Sequence, residues 1–228
     1  KLAPLDGVLS TATHFVLKKY KIDILKHMSI FLTLVFCIVA VYCTVYEYNT
    51  PSVEVLFTSD EPVITVFSEG KSALIGVQKK KYAMTIKDML HKHNEKQLDN
   101  IIVTENKSAT VSQLIYLYKN FGKGYTYYKN EAHGIFKENS TSFATNLALS
   151  GKVNIDFFDT DLVEINAGDK SILSVDCKKI ENIYENLKNY DIIFLYGKNP
   201  YEFEELLKER FESSQIIISA EGKMVSIS

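Results

Sequence analysis

The chain has 228 residues, with 26 basic and 28 acidic side chains and a formal net charge of −2. Setting aside the first 46 residues, which carry five Lys and two Asp, leaves 21 basic against 26 acidic residues. That balance excludes a broadly basic nucleic-acid-binding surface, whose affinity would come from neutralised phosphates, so any DNA contact would be local. The length beyond the first segment suits one domain with a substantial core.

Residues 28–46 (MSIFLTLVFCIVAVYCTVY) carry no charge. As a helix they would cover about 28 Å, close to the hydrocarbon thickness of a bilayer. Ser29, Thr33 and Thr44 carry the aliphatic hydroxyls there, and each can bond back to the helix backbone. A buried core helix is the alternative. A signal peptide fits poorly, because the segment begins well inside the chain and lacks a small-x-small cleavage pattern before Glu47. Lys18, Lys19, Lys21 and Lys26 precede the span, and no Lys or Arg follows until Lys71. This asymmetry predicts a cytoplasmic N-terminal side and an outer C-terminal region. Tyr42, Tyr46 and Tyr48 suit the outer headgroup zone. The chain begins at Lys1, so residues 1–27 read as a juxtamembrane segment or the tail of a larger membrane region.

After Pro51 and Ser52, strands are predicted over 53–58, 63–67 and 73–77, separated by turns at 60–62 and 69–71. A helix is predicted over 83–93, a buried strand over 98–104, and a helix over 109–121 closed by Gly122. Residues 125–128 are a further candidate strand. The second half repeats the pattern. Strands are expected over 153–157, 162–165 and 172–175, with Gly168-Asp169 as a hairpin turn. A helix over 180–187, a strand over 191–195, a helix over 201–211 with Phe203, Leu206, Leu207 and Phe211 toward the core, and strands over 216–219 and 224–227 complete it, the last as an edge. Strand groups followed by helix–strand units predict two sheets packed face to face with helices outside. Cys37 and Cys43 lie in the span and Cys177 is alone beyond it, which rules out a disulfide framework in the outer domain and makes Cys177 a small buried hydrophobe.

The order of these elements carries a resemblance. Residues 98–113 (LDNIIVTENKSATVSQ) resemble the LDxLLLTHxHxDHxGG segment of the metallo-β-lactamase superfamily, and most of all the C-terminal domain of ComEC-type DNA internalisation proteins of bacterial competence. There too a transmembrane helix leads into the domain. Gly70-Lys71 and Leu74-Ile75 are similar to the family's "GK…LID" strand, residues 173–176 (LSVD) to "LLTGD", and residues 191–200 (DIIFLYGKNP) to "DVLKVGHHGS". The resemblance implies an αββα sandwich of metallo-β-lactamase-like type (α/β, with α+β character) over 51–228, behind a transmembrane helix at 28–48.

In that family, His and Asp side chains of the HxHxDH loop, a later His and a bridging Asp hold divalent ions that activate water. At the matching positions this chain has Glu105, Lys107, Ala109 and Thr110, and Gly197 and Lys198 at the later pair. Only Asp176 matches a ligand, and its other reading is a strand-end carboxylate that makes a turn or caps residues 178–180. No His pair elsewhere has ligand spacing, since His91 and His93 stand two apart on one helix. The expectation is no metal, no other cofactor and no catalysis. The resemblance implies a role in DNA uptake, as a structural or DNA-guiding module, with the membrane, single-stranded DNA and other competence proteins as partners. Candidate DNA contacts are Lys79, Lys80, Lys81, Lys123, Tyr125 and Tyr127, by charge and base stacking. A solvated basic loop and a half-buried Tyr strand explain the same residues. Two other readings stay open: a membrane-anchored interaction or scaffold domain unconnected to DNA, and a metal-dependent nuclease with unconventional ligands.

Overall fold

The computed structural model describes residues 5–58, 62–76, 82–103, 108–122, 124–128, 140–142, 146–159, 162–218 and 222–228. The chain divides into two compact units, Lys1–Glu47 and Tyr48–Ser228.

Residues 5–47 of the first unit lie in one long helix, α1 (Leu5–Asn49). Within it, residues Lys18–Asn49 are long and apolar enough to cross a membrane, and none of the most apolar stretch is buried. Phe31, Leu34, Phe36, Ile38 and Val41 are all exposed. Thr33 donates to the Ser29 carbonyl and Thr44 to the Ala40 carbonyl, each at 2.9 Å, so both hydroxyls are satisfied within the helix. This matches the expectation from sequence and leaves an apolar cylinder with no open polar demand at those two positions.

The second unit is a two-sheet sandwich. One sheet holds β1 (Ser52–Leu56), β2 (Val63–Ser68), β3 (Lys71–Ile75), β4 (Asn100–Val103), β5 (Tyr125–Tyr128), β6 (Ser140–Ser142) and β13 (Met224–Ile227), in the order β13-β1-β2-β3-β4-β5-β6. The other holds β7 (Asn146–Ala148), β8 (Val153–Asp159), β9 (Leu162–Ala167), β10 (Lys170–Asp176), β11 (Ile192–Tyr196) and β12 (Gln215–Ile218), in the order β12-β11-β10-β9-β8-β7. In both, antiparallel hairpins give way to parallel pairing through helical crossovers, at β3·β4 and at β10·β11.

The two-residue period of a strand explains the layers. Ile64, Val66, Ala73, Ile75 and Ile102 from the first sheet meet Ile155, Ile165, Ile172, Ile192 and Phe194 from the second in one inner core. Phe57 and Phe194, both fully buried, meet edge to face at 5.6 Å. The alternate residues Leu74, Ile101 and Val103 pack under α2 (Ala83–Lys92) and α3 (Ser108–Phe121), with Ile86, Met89, Leu90, Leu114 and Leu117. Leu173, Val175, Ile193 and Leu195 pack under α4 (Cys177–Ile183) and α5 (Pro200–Arg210), with Ile180, Leu207 and Phe211. Both faces of the central strands are covered, so they read as continuous apolar runs. The result is the αββα sandwich expected from sequence.

Four details differ from expectation. The helix predicted over 180–187 begins earlier, at Cys177, and gives way to a 3₁₀ turn at Tyr184–Asn186. Leu206 is exposed, because its neighbour Leu207 takes the inward position on α5. The short strands β6 and β7 were not predicted, being three residues each and partly polar. The helix holding the apolar span also reaches well back, through most of residues 1–27. Gly122, at φ +85°, ends α3 as predicted.

Candidate functional site

The parallel pair β10·β11 brings Asp176 opposite Tyr196, so the chain leaves both strands at the same edge of the sheet. Crevices beyond the carboxyl ends of parallel strands are where α/β folds commonly place chemistry. Asp176 is buried and is the N-cap of α4, its Oδ1 accepting from the Lys178 amide at 2.9 Å. Its Oδ2 lies 3.5 Å from Lys178 Nζ. Gly197, one residue past β11, has φ +103°. A Cβ at this position would lie 2.5 Å from Asp176 Oδ1 and 3.0 Å from its Cγ. Lys198 is exposed, and Asn199, at φ +52°, leads into Pro200 at the start of α5.

Of the residues singled out from sequence, Asp176 and Gly197 are brought into contact. Ala109 and Thr110 fall in the first turn of α3. Glu105, Lys107, Lys79, Lys80, Lys81 and Lys123 lie outside the described residues. Tyr125 and Tyr127 share β5, where Tyr125 is exposed and Thr126 between them is buried and hydrogen-bonded to Tyr118.

Two buried carboxylates were not anticipated. Glu54 of β1 is fully buried on the helix-covered face of its sheet. Its Oε1 accepts from Lys92 Nζ at 2.5 Å and Ser226 Oγ at 2.9 Å and meets His93 Nε2 at 3.0 Å, while its Oε2 has no partner among the described residues. Burial pushes this carboxyl up, but the hydrogen bonds from Lys92, His93 and Ser226 and the Lys92 charge outweigh it, and the net shift is downward. His93 also stacks on Phe67 at 4.1 Å. Glu164 of β9 is the counterpart in the second sheet. It is bonded by Lys188, by Asn166 at 3.1 Å and by the Tyr190 hydroxyl at 3.2 Å. Burial, and then the adjoining Glu164 charge, push the Tyr190 phenol up. The signal for both was in the sequence: a lone acid inside an apolar strand, as in SVEVL and LVEINA, demands an internal partner.

Among the described residues, no group of three or more His, Cys, Asp or Glu could hold a metal ion. At the Asp176 corner both carboxylate oxygens face partners from the chain itself. The oxygen nearest position 197 already accepts an amide, and the other faces an ammonium group. Cys177, beside it, is buried, and burial together with the Asp176 charge raises its thiol to about 11, which makes a thiolate ligand unfavourable.

No family model matches the sequence, and no curated protein matches it. Solved structures do resemble the fold. The metallo-β-lactamase fold protein YhfI from Bacillus subtilis superposes with a TM-score of 0.51 at 11% identity, covering 78% of this chain and 100% of that one. A diphosphatase from the PhnP family gives 0.48 at 12% identity, with 78% and 98% covered. A Cronobacter sakazakii metallo-β-lactamase with a HARLDQ motif gives 0.47 at 10% identity, with 74% and 86% covered. At such identities the likeness is one of architecture. The second unit of this chain has the metallo-β-lactamase-like αββα fold.

Proposed function

We propose that this chain is a membrane-anchored component of competence DNA uptake, in which a non-catalytic metallo-β-lactamase-like domain outside the membrane serves as a structural or DNA-guiding module. The observation that carries this reading is the pairing of an apolar helix, long enough to span, with a sandwich of this fold directly after it. The ComEC-type resemblance rests on the same order of parts. Loss of catalysis is supported by Glu105, Lys107, Ala109, Thr110, Gly197 and Lys198 at positions where the resemblance implies ligands. Lysines before the span and none soon after it support a cell-membrane protein with the domain on the outer side.

The test uses the full chain in detergent micelles with fluorescent single-stranded DNA. Weak binding at low salt that falls steeply as salt rises is expected, because phosphate contacts release counterions. No cleavage is expected with Zn²⁺, Mn²⁺ or Mg²⁺. Absence of binding at low salt removes the guiding role, and metal-dependent cleavage that disappears in Asp176→Ala replaces the proposal with a nuclease. The domain's excess of acidic residues favours a second reading, an anchored scaffold with no DNA contact, which the same titration decides.

A further inference from the structure

We infer that Asp176 is a helix cap whose carboxylate is committed to the chain itself, and that Gly197 closes over it, so that this corner is a structural lock rather than a cation ligand position. The inference deepens the non-catalytic half of the proposed function and does not depend on DNA.

Three observations converge on it. The first is the cap. Asp is among the strongest N-cap residues, and Oδ1 satisfies the Lys178 amide that α4 would otherwise leave open. That cap fixes where α4 starts, and the start sets Cys177 and Ile180 into the outer core of the second sheet. The second is the absence of room. Position 197 lies in the left-handed region that favours Gly, and a Cβ there would sit 2.5 Å from Oδ1. A side chain at 197 is therefore disfavoured by backbone conformation, and its Cβ would force the Asp176 carboxylate to turn away from its present position. The third is charge. Lys178 Nζ stands 3.5 Å from the remaining oxygen, so a divalent cation would have to displace or oppose an ammonium group.

The full chain in detergent micelles is melted with EDTA, then with 1 mM Zn²⁺ or Mn²⁺, as wild type, Asp176→Ala, Asp176→Ser and Gly197→Ala. Metal is expected to leave the wild-type Tm unchanged. Asp176→Ala is expected to lower Tm by about 2–4 °C. Asp176→Ser, which can cap but is a poor ligand, should restore most of that loss. Gly197→Ala should lower Tm further than Asp176→Ala. A rise in wild-type Tm with metal that disappears in both Asp176 variants overturns the inference, as does an unchanged Tm in Asp176→Ala. If Gly197→Ala does not fold, the Ala and Ser variants at 176 still decide. Failure to bind single-stranded DNA with no metal-induced shift would leave the lock standing while sinking the guiding role.

Discussion

The two halves of the sandwich solve one problem with the same parts, placed at different depths. At the crossover from β3 to β4, Asp99 accepts from the Ser72 amide at 2.8 Å and from the Ser72 hydroxyl at 3.1 Å, and the Asp99 amide donates back to that hydroxyl. At the crossover from β10 to β11, Asp191 accepts from the Ser171 amide at 2.7 Å and the Ser171 hydroxyl at 2.8 Å, with the same return bond. Each clasp ties the start of one strand to the start of its parallel neighbour and so sets the register. Ser72 is fully buried, however, whereas Asp191 is exposed. The buried acids differ as well. Glu164 uses both oxygens, while Glu54 gathers its partners on one. Matching geometry therefore does not mean matching energy, because each bond is worth what its exclusion from water makes it worth.

The contact that joins the halves should give the largest effect. Phe194→Ala removes the ring against Phe57 and should cost about 3–5 kcal/mol in urea denaturation. The acids come next. Glu164→Gln should cost ~2–3 kcal/mol and Glu54→Gln ~1–2 kcal/mol, because the first disturbs bonds on both oxygens. The reverse order would show that the lone Glu54 oxygen is not the weaker arrangement. Third, Ser72→Ala should cost ~1–2 kcal/mol and Ser171→Ala only ~0.5–1 kcal/mol. Equal losses would mean that depth does not separate the clasps.

Acid titration provides a smaller and more specific comparison. The Ser171 bonds hold the Asp191 carboxyl below its ordinary value of 3.8, and Glu54 lies below 4.5. Both groups bind protons more weakly when folded. Their stabilisation is complete above those ordinary values and is lost as pH falls through the lower folded ones. Urea midpoints measured from pH 6 downward should decline below about pH 4.5, and Glu54→Gln should flatten the curve more than Asp191→Asn, whose carboxyl is solvent-screened. The smallest effect expected is at Cys177. With its thiol raised to about 11 and buried, it should resist maleimide at pH 8 until urea unfolds the domain.

Much of this architecture was legible because the central strands are buried on both faces. Runs such as NIIV and IIFLY cannot sit anywhere but in a core, and Gly122 and Pro200 punctuate helices where sequence rules place them. The start of α4 was misjudged because apolar spacing pointed to Ile180, while the cap four residues earlier is a polar signal carried by Asp176. β6 and β7 escaped because a three-residue strand at a sheet margin is defined by its neighbour's hydrogen bonds and not by its own pattern. The closure at Gly197 was out of reach for another reason. Sequence shows which residue is missing from a position, but only the fold shows which carboxylate stands beside it.

The pairing of β1 with β13 has a kinetic consequence. Val53 sits opposite Ile227 and Leu56 opposite Met224, so the first strand of the sandwich is sealed by the last strand in chain order. Such a pairing has a high loop-closure cost and forms late. Until it does, β1 presents an open row of amides and carbonyls, a template for annealing with a second molecule. Newly made domains would be most vulnerable to aggregation in that interval.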